Sequence, residues 1–322
     1  MRIARPSEKR KGVNPARLIA AAVFLGLLAA CAQATAAATH TPTQEPAVET
    51  ISGTATKTPR PTEVPLTAYP SLYETFAGDF LVGAAVKPST IGDRRHAALL
   101  ARHFNSLTVE DEMKPGELEP TEGIFRWDGP DKLAEFAKAH GMAMHGHTLV
   151  WHNQAAEWMF QDKDGKPLEA TPENKQIVLG RLEDYIRAVV GRYKDVVNVW
   201  DVVNEVVDPA QPDCMRRSRW YTLTGAEYIP AAFRTAHEAA PDARLIINEY
   251  DTTEPAKREC LYQVVRDLLA RGVPVGGVGH QMHINIEKPE AAAIEETIVR
   301  IAELGLPQHI TELDVSIYTD AT

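Results

Sequence analysis

Two short stretches carry the residues best suited to bond-breaking chemistry. Residues 199–205 read Val-Trp-Asp-Val-Val-Asn-Glu, and residues 309–314 read His-Ile-Thr-Glu-Leu-Asp. Each is an apolar run that ends in a carboxylate, Glu205 in one and Glu312 in the other. Two carboxyl groups facing one bond can cleave an acetal. One protonates the leaving oxygen, and in the retaining variant the other attacks the anomeric carbon from about 5–5.5 Å away. Taken alone, a glutamate at a strand end more often closes a surface salt bridge, so the pair needs support. A rival chemistry starts from His145-Gly146-His147. Alternate strand residues share a face, so this pair, with His283 as a further ligand, has the makings of a metal site. It would suit a metal-dependent amidohydrolase-like barrel. The plain reading of His145 is a packed core histidine.

The elements that must position these groups follow from hydrophobic patterning. Short apolar runs at 80–86, 106–110, 143–150, 197–205, 244–250, 275–285 and 308–315 read as strands. Longer amphipathic stretches at 91–103, 130–140, 172–193, 227–240, 255–271 and 289–304 read as helices. Pro172 and Pro289 would each sit in a first helical turn, where a missing N–H is harmless. Strictly alternating strands and helices predict a parallel sheet with helices outside. Glu110, His147, Glu205, Glu249, His283 and Glu312 all fall near C-terminal strand ends. In a TIM (β/α)8 barrel those ends converge on one rim. The competing doubly wound sheet wants a glycine-rich loop after its first strand, and residues 83–87, Gly-Ala-Ala-Val-Lys, lack one. Seven of the eight strands of a barrel are visible, so the expectation is a barrel truncated before strand eight.

The N-terminal 67 residues have a different character. Arg2, Arg5, Lys9, Arg10, Lys11 and Arg17 precede an apolar run over 18–30 that ends Leu28-Ala29-Ala30-Cys31. That is a signal-peptide pattern, and its border is similar to the lipobox of bacterial lipoproteins. This would make residues 1–31 a leader, Cys31 the lipidated residue and the mature protein a cell-surface lipoprotein. Residues 32–67 are rich in Thr, Pro and Ala and read as a disordered tether. The catalytic domain would span 68–322. The whole chain holds 34 basic and 44 acidic residues, and without the leader 28 and 43 remain, a net charge of −15. Such a surface repels nucleic acid and anionic lipid, and favours a neutral substrate. Cys214 and Cys260 remain after the leader, and either a disulfide or two buried thiols is compatible with export.

Five ordered segments carry a resemblance. Residues 104–115, 146–152, 200–205, 278–283 and 310–314 resemble the strand-end motifs of glycoside hydrolase family 10, and the likeness runs from about residue 70 to the end. It implies a retaining endo-1,4-β-xylanase that needs no cofactor or metal and acts as a monomer on xylan or xylo-oligosaccharides. By position, Glu205 would be the acid/base and Glu312 the nucleophile. Asn204 would bind the 2-hydroxyl of the sugar at the cleavage point. Lys114 and His147 would hold its 3-hydroxyl side, and Trp151 would pack on its ring. Glu110 and Asp111 would bind the next sugar outward, and Gln281 would touch the acid/base. His283 would sit between Glu312 and Asp314 and keep the nucleophile ionised. Asp111 stands where the family usually has Asn, and His280 where an apolar residue is usual. Trp158 could flank the cleft, whereas Trp127 and Trp220 read as core or loop anchors and Tyr185 and Tyr193 as packing residues. A third reading is a non-catalytic polysaccharide-binding lipoprotein.

Overall fold

Strand-forming runs and amphipathic helices alternate through residues 66–318, the part of the chain that the computed structural model describes. The strands are β1 (Gly83–Val86), β2 (Ser106–Val109), β3 (Ala143–Val150), β4 (Val197–Asn204), β5 (Arg244–Glu249), β6 (Gly277–His280), β7 (His283–Asn285), β8 (Gln308–Ile310) and β9 (Asp314–Ser316). The long helices are α1 (Arg94–His103), α2 (Asp128–Ala139), α3 (Pro172–Tyr193), α4 (Tyr228–Ala239), α5 (Pro255–Ala270) and α6 (Ala291–Ala302). One long helix lies in each crossover, with shorter helical turns beside it in several, and the main sheet is parallel throughout, in the order β1-β2-β3-β4-β5-β6-β8. A doubly wound sheet reverses its order at a switch point. This one never does, so the architecture is that of seven strands of a TIM barrel, as the sequence predicts.

Local chemistry sets the helices. Thr171 caps α3 by accepting from the Asn174 amide, and Pro172 occupies the first turn. Val178, Leu182, Tyr185, Ile186, Val189, Val190 and Tyr193 then recur at helical spacing and are buried. The expected helix at 289–304 starts later, at Ala291. The Asn285 side chain accepts from the amides of Glu287 and Lys288, forming a turn that leaves Pro289 outside the helix. The first strand begins at Gly83 instead of residue 80, because Phe80 and Leu81 remain exposed outside the ladder.

The expected sixth and seventh strands each break in two. Met282 adopts a left-handed backbone (φ 58°) just after β6. Beyond the breaks, β7 and β9 form a parallel pair of their own, with His283 opposite Asp314. Across β3 and β4, alternation puts His145, His147 and Asp201 on one face and Met144, Gly146 and Trp200 on the other. A Cβ at Gly146 would lie 2.2 Å from the Trp200 ring, so only glycine allows the ring that close. Cys214 and Cys260 form a disulfide, which resolves the alternative the sequence leaves open.

The described residues belong to a unit delimited as Thr62–Thr322. The leader at 1–31 with Cys31, and the tether at 32–67 except Leu66 and Thr67, lie outside the described residues. Among the described residues, no helix is long and apolar enough to cross a membrane, and no strand pairs with the outer edge of β1 or β8.

Candidate active site

The chain leaves β4 through Glu205, whose φ of 59° is unusual for a residue with a long side chain. Its amide donates to the Asn248 carbonyl at the end of β5. Glu312 follows β8, and its amide donates to the Gln281 carbonyl after β6. The ends of β4 and β8, separated in the sheet by β5 and β6, therefore hold the two carboxylates, and three side-chain amides link them. Gln281 Nε2 donates to Glu205 Oε1 and to Asn204 Oδ1, both at 3.1 Å. Asn248 Nδ2 donates to Asn204 Oδ1 at 3.0 Å and to Glu312 Oε1 at 2.7 Å. Thr311 Oγ1 donates to Asn248 Oδ1 and fixes which way that amide points. Side-chain exposures of 13% for Glu205 and 27% for Glu312 leave both partly open to solvent.

Glu312 also meets His283 Nε2 at 3.2 Å, while Nδ1 of the same ring lies 2.7 Å from Asp314 Oδ2. The bridging position implied for His283 is thus the one it occupies. Burial works against protonation of this ring, but Asp314 and then Glu312 outweigh it and raise its pKa. The β7–β9 pair accounts for the contact, because its register places His283 beside Asp314.

A second buried cluster lies alongside. His145 Nε2 and His147 Nδ1 each sit 2.8 Å from one oxygen of Asp201. Burial pushes the Asp201 carboxyl up, but the two histidines outweigh it and hold it below the ordinary carboxylate range. Burial likewise opposes charge on His145, and Asp201 reverses the sign so that its pKa is raised. Asp201, read in sequence only as part of the strand motif, therefore orients both members of the His-x-His pair.

Beyond β2, Lys114 Nζ donates to Asp111 Oδ1 at 3.0 Å and lies 5.3 Å from the Trp151 ring centroid. Lys87 reaches Asp111 at 2.7 Å and Glu110 at 3.6 Å. The Lys87 hydrogen bond is the main reason the Asp111 pKa is lowered. The extra negative charge expected at Asp111 is thus met by two lysines. Trp151 is fixed from behind by Trp220, whose Nε1 donates to its carbonyl.

Trp158 is not a platform in the cleft. Its Nε1 donates to the Glu119 carbonyl and Arg181 stacks on its ring, so it anchors a loop. Trp127 stacks on Phe125, and Trp220, Tyr185 and Tyr193 are buried, as their sequence contexts predict. His280, unexplained in the sequence, is a neutral structural residue. Its Nε2 donates to Gln308 Oε1 and its Nδ1 accepts from the Thr252 hydroxyl, and burial lowers its pKa. Sequence reasoning missed Asn248 and Lys87. Alternation along 244–250 puts Asn248 on the face of Ile246 and so could have exposed it. Lys87 had no comparable signal, because its role depends on the β1–β2 pairing.

The sequence profile of glycosyl hydrolase family 10 matches residues 71–322. The chain belongs to glycoside hydrolase family 10. Among its relatives in the family, a protein of Thermoclostridium stercorarium named thermostable celloxylanase is 50% identical over 258 residues, covering 78% of this chain and 66% of that protein. Endo-1,4-beta-xylanase A of Halalkalibacterium halodurans is 46% identical over 255 residues, covering 77% of this chain and 64% of its own length. The chain therefore spans just under two thirds of these two relatives. The crystal structure of xylanase B from Clostridium stercorarium F9 superposes with a TM-score of 0.76 at 50% identity, covering 79% of this chain and 77% of that one.

Proposed function

We propose that this family 10 protein is a retaining endo-1,4-β-xylanase acting on internal bonds of xylan. The observation that carries the reading is the placement of Glu205 and Glu312 just past the C-terminal ends of β4 and β8, joined through Asn204, Asn248 and Gln281 and both partly exposed. Glu205 donates a proton to the leaving glycosidic oxygen while Glu312 attacks the anomeric carbon, giving a covalent glycosyl-enzyme. Glu205 then takes a proton from water, which displaces Glu312. Asn204 meets the 2-hydroxyl, a contact that strengthens in the transition state. His147 spends Nδ1 on Asp201 and offers its other ring nitrogen to the 3-hydroxyl beside Lys114. Trp151 backs the sugar ring, and Glu110 and Asp111 take the next sugar. The names of the relatives support xylan, and the name celloxylanase makes β-1,4-glucan the comparison to include. The metal-site reading gains nothing from the geometry, since among the described residues no three His, Cys, Asp or Glu side chains are placed together so as to hold a metal ion.

The proposal extends to location. Residues 1–31 act as a lipoprotein leader, Cys31 carries the lipid, and 32–67 tether a catalytic unit of 68–322 at the cell surface. Metabolic labelling with a palmitate analogue, lost in Cys31→Ser, tests this part.

Reducing-sugar release from xylan, with carboxymethyl cellulose alongside, tests the activity. Glu312→Ala should abolish turnover. Glu205→Ala should lower kcat/KM on xylan by at least about 100-fold and spare aryl xylosides with good leaving groups, which need no acid. Equal loss on both substrates would refute the role of Glu205.

A further inference from the structure

The backbone of Glu205 is held in a left-handed conformation without the glycine or asparagine that usually adopts it. Such a conformation persists only where the surroundings over-determine it. Here they do. Arg216 Nε donates to the Glu205 carbonyl at 2.6 Å, and the Arg216 amide donates to the Val206 carbonyl at 2.8 Å. Lys257 Nζ donates to the Val207 carbonyl at 2.8 Å, and Glu249 Oε2 accepts from the Val207 amide at 2.9 Å. All three carbonyls of 205–207 are therefore bonded to Arg216 or Lys257.

Lys257 and Glu249 also pair with each other at 2.9 Å, with side-chain exposures of 5% and 0%. A buried ion pair is a poor source of stability, since apolar replacements often fold as well or better. This pair earns a different explanation from its position. Each partner spends a hydrogen bond on the same residue, Val207, two places after Glu205. The Cys214–Cys260 disulfide then ties the loop carrying Arg216 to α5, one turn beyond Lys257.

We infer that Arg216, Lys257 and Glu249 form a clamp, closed by the Cys214–Cys260 disulfide, that aims the Glu205 carboxyl at the glycosidic oxygen. The inference rests on the reading of Glu205 as acid/base. None of the three clamp residues acts on the reacting atoms; they are positioning residues. Loosening the clamp lets the 205–207 turn relax, and the carboxyl then drifts from the leaving oxygen while Glu312, on a separate strand, stays in place. The loss therefore falls on proton donation alone.

The test uses the full chain and a series of aryl β-xylobiosides that share a glycone and differ only in leaving-group acidity. The variants are Lys257→Met, the charge-free double Lys257→Met/Glu249→Gln, which leaves no unpaired buried charge, and Cys214→Ser/Cys260→Ser. Thermal unfolding is followed in parallel, and rates are taken well below each Tm. In the variants, kcat/KM should fall at least about 10-fold for poor leaving groups and change less than about 2-fold for dinitrophenol, steepening the leaving-group dependence. A uniform loss across the series, or a lowered Tm with an unchanged dependence, would overturn the clamp. If the parent cleaves neither xylan nor any aryl xylobioside, the xylanase reading itself fails, and that outcome is distinct from an active parent whose variants show no selectivity.

Discussion

Asp201 stabilises the site by accepting from two histidines at once, and its titration should be visible in folding stability. Its lowered carboxyl pKa contributes stability that is complete above the unfolded value of 3.8 and is lost as pH falls through the folded value. The raised pKa of His145 contributes stability that is complete below 6.5 and is lost as pH rises through its folded value. Both contributions are full between 3.8 and 6.5. Asp201→Asn should therefore cost about 3–5 kcal/mol in that window and less above it. Tm measured against pH for both proteins checks this, and a pH-independent difference would contradict it. Gly279 makes a second single-residue case. A Cβ there would lie 2.4 Å from Asn248 Oδ1 and 3.0 Å from Thr311 Cγ2. Gly279→Ala should push the Asn248 amide off Glu312 and lower xylan kcat by roughly 10-fold or more, while costing about 1–3 kcal/mol in denaturant unfolding.

Helices and strands differ in how far their own sequence specifies them. The cap and apolar face of α3 are local, so its limits, Pro172 to Tyr193, are legible in the chain. Thr171→Ala should lower stability by about 1 kcal/mol, readable as a shift in urea midpoint without a change in slope. The breaks that separate β7 from β6 and β9 from β8 are not legible, because the flanking residues are all compatible with a strand. What interrupts them is conformation and contact elsewhere: Met282 takes a left-handed backbone (φ 58°) between β6 and β7, and the Glu312 amide, between β8 and β9, donates to the Gln281 carbonyl. The disulfide belongs to this scale too. It closes a separation of 46 residues between a loop and α5, and its reduction should destabilise the protein by about 2–4 kcal/mol. Scanning calorimetry with and without reductant checks this.

Across the molecule, the outermost strands of the seven-stranded sheet carry much of the exposed apolar surface. Phe80 and Leu81 precede β1, while Ile310, Leu313, Val315, Ile317 and Tyr318 lie on and after β8. Open strand edges with apolar side chains invite association. Ile317→Lys with Tyr318→Lys should raise the concentration at which the protein aggregates and change stability by less than about 0.5 kcal/mol, as light scattering and unfolding curves would show.

The sequence by itself determined the barrel class and the alternation of strands with helices, because periodicity is written in neighbouring residues, and it singled out the two glutamates through the family resemblance. It also placed Asn204, Gln281 and His283 among the residues around the carboxylates, through the family resemblance. Only the tertiary structure decided that Asp201 orients two histidines, that Asn248 links Asn204 to Glu312, that Lys87 offsets Asp111, that Cys214 meets Cys260, and that Trp158 anchors a loop. Each of these depends on which residues of separate strands and loops come opposite one another. That register is set by the packing of the whole sheet, and no local stretch of chain contains it.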